Sequence, residues 1–135
     1  MIPIAGLQFH HIGVACRNLD VEARPYHLLG YAQAGEDFVD PIQGITGRFL
    51  EGPGPRLELV TPTGDAEGVL SGMLERGTKM YHLAFLARSF DEALNEALKA
   101  RGKLVGSPVP AVAFGGRRIC FLFLPNLMLV ELIEE

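Results

Sequence analysis

The chain repeats itself, and the repeat limits what it can fold into. The run His10-His11-Ile12-Gly13-Val14-Ala15-Cys16-Arg17-Asn18-Leu19-Asp20 returns 71 positions later as Tyr81-His82-Leu83-Ala84-Phe85-Leu86-Ala87-Arg88-Ser89-Phe90-Asp91, with His on His, apolar on apolar, Arg on Arg and Asp on Asp. Leu57-Glu58-Leu59-Val60 returns 73 positions later as Val130-Glu131-Leu132-Ile133. The two-residue drift reads as one small loop insertion. Two similar halves, about 8–62 and 79–135, are therefore expected, joined by a linker over 63–78 with turn chemistry at Thr63-Gly64-Asp65 and Gly77-Thr78. A length of 135 residues suits one domain made of both halves.

Each half shows the same order of elements. Phe9 to Cys16 and Met80 to Ala87 are short and rich in apolar or β-branched residues, and read as strands. Helices are expected over Asn18–Gly30 and Ser89–Gly102, with a break or shortening at Pro25 in the first. In the second, Ser89 stands as N-cap, Asp91 and Glu92 lie in the first turn, Ala93, Leu94, Ala97 and Leu98 form one face, and Gly102 falls at the C-cap. Three strand candidates follow each helix: Ala32–Gly35, Thr46–Glu51 and Arg56–Thr61, then Lys103–Gly106, Arg118–Leu124 and Met128–Ile133. The expected class is α+β: two βαβββ modules pairing into one curved mixed sheet with helices outside, because neither half alone buries both a helix and a sheet face.

Composition narrows the function. Hydrophobic residues make up 48% and charged residues 21%, which supports a packed core. A net charge of −4 argues against a nucleic-acid binder. No apolar run reaches the roughly 20 residues that span a bilayer, and Met1-Ile2-Pro3-Ile4-Ala5-Gly6 lacks the pattern of a signal peptide. Cys16 and Cys120 make no disulfide framework and are expected as small apolar fillers. The expectation is a soluble cytoplasmic protein with no membrane partner.

Strand alternation places His11, Gly13 and Ala15 on one face, and His82, Ala84 and Leu86 on the equivalent face of the matching strand. Glu58 and Glu131 each interrupt an otherwise apolar strand. An ionised carboxylate buried there is costly unless it is paired or bound to metal. A lone Glu could be an edge charge that deters aggregation, and a lone strand His is more often a core residue than a ligand. Duplication tips the balance: near-twofold symmetry would bring His11, Glu58, His82 and Glu131 together. Two imidazoles and two carboxylates suit a divalent metal ion such as Zn, Ni, Co, Fe or Mn, with positions left for water or substrate. His10 is expected to face the helix side or solvent, and His27 to be an exposed surface histidine.

The repeated βαβββ halves, the runs His11-Ile12-Gly13-Val14 and Tyr81-His82-Leu83-Ala84-Phe85, and the two Glu-bearing strands together resemble the vicinal oxygen chelate superfamily, over nearly the whole chain. That superfamily includes glyoxalase I, methylmalonyl-CoA epimerase, extradiol dioxygenases and fosfomycin-resistance proteins. The resemblance implies metal ligands from the first and fourth strands of each half, here His11, Glu58, His82 and Glu131. In the epimerase the ligand corresponding to Glu58 is typically Gln, and a Glu proposed as acid/base aligns with Gly47. Gly115-Gly116-Arg117-Arg118-Ile119 resembles the epimerase branch. The bacterial type of glyoxalase I has the same His/Glu/His/Glu set, but the Arg that holds glutathione there corresponds to Ala15.

The activity so implied is a metal-dependent glyoxalase-like lyase or isomerase acting on a small α-oxygenated carbonyl or thioester substrate through a metal-stabilised enediolate. Glu131 and Glu58 would be the catalytic acid/base pair. Arg118, on the strand face of Cys120, is the candidate for holding an anionic substrate group, and Phe49 and Phe123 are candidate pocket walls. The segment Ala111-Val112-Ala113-Phe114-Gly115-Gly116 reads as a glycine-hinged flap. The alternatives are a methylmalonyl-CoA epimerase-type racemase or epimerase, and a non-catalytic, ligand-sequestering protein of the bleomycin-resistance kind. A homodimer is expected.

Overall fold

The computed structural model describes residues 2–64 and 68–135, so Asp65 of the expected linker turn lies outside the described residues. Elements follow in the order β1 (Leu7–Ala15), α1 (Leu19–Leu28), β2 (Ala32–Asp40), β3 (Ile45–Glu51), β4 (Leu57–Pro62), α2 (Val69–Glu75), β5 (Met80–Ala87), α3 (Phe90–Lys99), β6 (Lys103–Pro110), a 3₁₀ turn (Val112–Phe114), β7 (Arg118–Phe123) and β8 (Leu129–Glu134). The class is α+β, and the eight strands belong to one mixed sheet. The chain divides into two compact units, one of Met1–His10 with His82–Glu135 and one of His11–Tyr81.

In the His11–Tyr81 unit the strand order is β2-β3-β4-β1. β1 and β4 run parallel, while β2, β3 and β4 form an antiparallel meander. The core collects Val14, Cys16, Leu50, Leu57 and Leu59 against Ala23 of α1. These strand residues alternate with the ones that form the other face, as a two-residue period requires. The second unit repeats the plan in the order β5-β8-β7-β6. There Phe90, Ala93 and Ala97 of α3 pack on Cys120, Leu122, Val130 and Leu132. Leu98, expected on that face, is 40% exposed, and Phe90 takes its place in the core.

Several expected boundaries shift for physical reasons. β2 and β6 run on past Gly35 and Gly106, which have φ of +76° and +72°. The register of each strand slips immediately beyond, between Ala34 and Phe38 and between Val105 and Val109, so these glycines make bulges and do not end the strands. α1 continues through Pro25. The proline withholds one N–H from the carbonyl of Val21, but both residues are exposed and water can replace that bond. The linker contains α2, whose Met73 is buried. Gly102 is not the residue that turns the chain at the end of α3; Arg101 is, with φ of +68°. Among the described residues no helix is long and apolar enough to cross a membrane.

Candidate metal centre

The strand registers place each histidine beside a glutamate. In the His11–Tyr81 unit, Glu58 of β4 lies opposite Gly13 of β1, two residues after His11. In the other unit Glu131 of β8 lies opposite Ala84 of β5, two residues after His82. The side chain of the Glu thus shares a face with the His and stands over a residue too small to fill the space. Nε2 of His11 is 3.4 Å from Oε1 of Glu58, and Nε2 of His82 is 3.3 Å from Oε1 of Glu131. All four residues are buried: His11 is 0%, Glu58 5%, His82 4% and Glu131 2% exposed.

An aromatic ring backs each pair in the same way. Phe49 of β3 is the cross-strand neighbour of Glu58, and Phe121 of β7 is that of Glu131. Phe49 meets the His11 ring edge-on with centroids 5.5 Å apart, and Phe121 meets His82 edge-on at 5.2 Å. Such contacts hold an imidazole at a fixed angle. The Phe121 contact was not expected. Its signal was present, since Phe121 follows Phe49 by 72 positions, between the two offsets of the repeat. Phe123, two residues on along the same face of β7, has Leu129 and Lys103 as its cross-strand neighbours.

The donor set fits a metal. Two ligands about 2.0–2.1 Å from one ion at a tetrahedral angle stand about 3.3–3.4 Å apart, which is the spacing of nitrogen and oxygen in both pairs. Imidazole and carboxylate together suit borderline divalent ions. Each unit thus brings one buried imidazole and one buried carboxylate, side by side, as side chains able to ligate a metal ion.

Arg118 lies on the other face of β7, as its alternation with Cys120 requires. Its guanidinium bonds Glu134 at 2.7 Å and Asp91 at 3.1 Å and stands 4.7 Å above the centroid of the Phe90 ring. Those two carboxylates raise the pKa of Arg118, and its hydrogen bonds hold the Glu134 carboxyl below the usual range. His10 does not face open solvent: it is half-buried and packs edge-on against Phe114 of the 3₁₀ turn at 5.3 Å. That turn ends in Gly115 and Gly116, both with positive φ. His27 is exposed, with Nδ1 2.9 Å from the carbonyl of Tyr31. Cys16 and Cys120 are buried fillers whose thiols burial pushes up to about 11.

Known proteins share this arrangement of elements. An ethylmalonyl-CoA/methylmalonyl-CoA epimerase of Cereibacter sphaeroides is 24% identical over 117 residues, covering 85% of this chain and 87% of its own. The crystal structure of methylmalonyl-CoA epimerase from Mycobacterium tuberculosis superposes with a TM-score of 0.77 at 25% identity, over 99% of this chain and 92% of that one. A variant of the Streptomyces coelicolor methylmalonyl-CoA epimerase, in complex with 2-nitronate-propionyl-CoA, gives 0.77 at 24% identity over 95% and 96%. The model of the glyoxalase/bleomycin resistance protein/dioxygenase superfamily matches residues 10–121, which span the strands that carry His11, Glu58 and His82. With most of its length so matched, the chain belongs to the glyoxalase/bleomycin resistance protein/dioxygenase superfamily.

Proposed function

We propose that the chain is a divalent-metal-dependent isomerase that exchanges the proton α to the carbonyl of a small acyl thioester, with His11, Glu58, His82 and Glu131 serving one cation. The observation that carries this reading is the buried His–Glu pair repeated in each unit with tetrahedral-edge spacing. The epimerases among its relatives favour isomerisation of a thioester over glyoxalase-like lyase chemistry. Ala15, where a glyoxalase would hold glutathione, favours the same choice.

A cation held by these donors supplies Lewis-acid polarisation of a substrate oxygen beside the carbon that loses its proton. The chain's own residues do the rest. His11 and His82, fixed by Phe49 and Phe121, offer Nε2 as donors in a constant orientation. Glu131 takes the α-proton on a carboxylate oxygen, and Glu58, protonated beforehand from solvent, delivers its proton to the opposite side of the planar carbon, which leaves Glu131 protonated and Glu58 ionised. Inversion needs a base for each hand of the substrate, and one carboxylate in each unit provides it. Gly47 has no proton to exchange, so the carboxylate that epimerases carry at that position is replaced in this role by Glu58.

Solvent exchange tests the proposal. Metal-reconstituted protein in D₂O is expected to place deuterium at the α-carbon of methylmalonyl-CoA or a homologous acyl-CoA. Glu131→Gln is expected to cut that exchange by at least about a hundredfold, the usual share of a general base, while its circular dichroism stays that of the wild type. Unchanged exchange in Glu131→Gln removes Glu131 from the mechanism. No exchange with any acyl-CoA, alongside tight binding of an apolar ligand, would make the chain a sequestering protein instead.

A further inference from the structure

The two units repeat their donors but not the walls beside them. On β2 and β3, Phe38 lies opposite Gly47. At the corresponding rung of β6 and β7, Val109 lies opposite Ile119. Gly47 is not needed for its backbone, because its φ lies outside the left-handed region that Gly35 and Gly44 occupy. It is needed for space. A Cβ at position 47 would stand 2.7 Å from Cε2 and 2.9 Å from Cε1 of Phe38, closer than real Cβ atoms come. The Phe38 ring therefore fills the volume that a side chain at 47 would take.

From that ring the contacts lead to the donors. Phe38 and Phe49 have centroids 5.7 Å apart with planes tilted by 31°, and Phe49 in turn meets His11. Gly47 and Phe49 share a face of β3 with Val60 and Glu58 as their cross-strand neighbours. Arg48, between them, turns to the other face and bonds Asp37 and Asp20. The wall beside the His11–Glu58 pair is thus hydrocarbon, made of two half-buried rings. In the other unit the matching volume is already packed: Ile119 and Ile133 are 1% and 0% exposed and are covered by Ala111 and Phe114.

Duplicated donors cannot tell one end of a substrate from the other, whereas unlike walls can. We infer that Phe38 is a specificity-determining residue: seated over Gly47, its ring closes the His11–Glu58 side with an aromatic wall that takes a small apolar substituent of the substrate and sets the size it tolerates. The inference rests on the four donors holding a cation.

Hydroxamates offer two neighbouring oxygens to a bound divalent ion and need no turnover, so their binding separates the two claims. Calorimetric titration of Co²⁺-loaded wild type, Phe38→Ala, Phe38→Leu and Gly47→Ala with acetohydroxamate and benzohydroxamate is the experiment. Phe38→Ala is expected to leave acetohydroxamate binding unchanged and to tighten benzohydroxamate by at least about tenfold, the lower end of what one methylene of pocket space is worth. Phe38→Leu falls between, and keeps the test open should the alanine variant fold poorly. Gly47→Ala, which drives the ring outward, weakens both ligands. An identical preference for the two hydroxamates in wild type and both Phe38 variants overturns the inference and leaves the metal reading standing. No binding of either ligand by any loaded form overturns the metal reading, and the inference with it.

Discussion

Arg48 and Phe49 are neighbours in β3, yet they serve opposite faces, one ionic and one aromatic. The Arg48 guanidinium bonds Asp37 at 2.7 and 2.8 Å and Asp20 at 2.8 Å, which keeps charge off the face that carries Glu58. The hydrogen bond from Arg48 holds the Asp37 carboxyl below its ordinary range, and burial opposes this only in part. A carboxyl whose folded pKa is depressed contributes stability that is present above the unfolded value, near 3.9, and is lost as pH falls through the folded one. Asp37→Asn is therefore expected to destabilise at neutral pH, with the difference from the wild type shrinking as pH falls below about 4 and vanishing only below the depressed folded value. With the Asp37 side chain 37% exposed, solvent screening keeps the difference under about 1 kcal/mol. Urea unfolding at pH 7 and pH 3 measures the difference and its decline. The four donors could be read from the sequence because duplication singles out residues that would each be ordinary alone. Phe121 was equally legible from the repeat offset, but Phe38 was not. A glycine required for room and a glycine required for a turn are the same letter, and only the position of the ring separates them.

The helix ends obey one rule with one exception. After α1, Gly30 donates to His27 and Tyr31 to Tyr26; after α2, Gly77 donates to Leu74 and Thr78 to Met73; after α3, Arg101 donates to Leu98 and Gly102 to Ala97. Each is a Schellman pair of bonds around a left-handed residue. That residue is glycine twice and Arg101 once. Gly102 cannot exchange roles with it, because a Cβ on Gly102 would meet the Ala97 carbonyl oxygen at 2.8 Å. Arg101→Gly is expected to stabilise the protein by about 0.5–1 kcal/mol, the left-handed penalty less the added freedom of the unfolded chain. Gly30→Ala is expected to cost about 1 kcal/mol or more by the same reasoning. The midpoint of chemical unfolding reports both. The same physics explains which element boundaries were legible. β5 runs over Met80–Ala87 as expected, a short apolar run with Tyr81 and Phe85 among it and turn residues at both ends. β2 and β6 outlast their glycines because a bulge absorbs the odd conformation while pairing resumes beyond it. α2 is only seven residues long and follows a Gly- and Thr-rich stretch, so its start carries no capping side chain for a reader to find.

At the scale of the molecule, two units that each close their own core contribute equally to the four candidate ligands, one buried His and one buried Glu apiece. Folding without a cation must desolvate two carboxylates, which is costly. Anything that binds the folded chain and not the unfolded one stabilises it by mass action, about 2.7 kcal/mol at a hundred times the dissociation constant. For a chain of this size that corresponds to a rise in Tm on the order of 10 °C. Protein stripped with a chelator is thus expected to melt lower than protein reconstituted with Co²⁺ or Zn²⁺, with calorimetry as the measurement. The Glu→Gln variants decide how the ion is held. If it takes donors from both units, as proposed, Glu58→Gln and Glu131→Gln each replace a carboxylate ligand with a weaker, neutral amide oxygen and reduce the metal-dependent rise to a similar degree. If one unit's pair were sufficient, one variant would abolish the rise and the other would leave it intact. Elemental analysis of both variants after reconstitution separates lost binding from a general loss of stability, because a merely destabilised variant still carries its metal when folded.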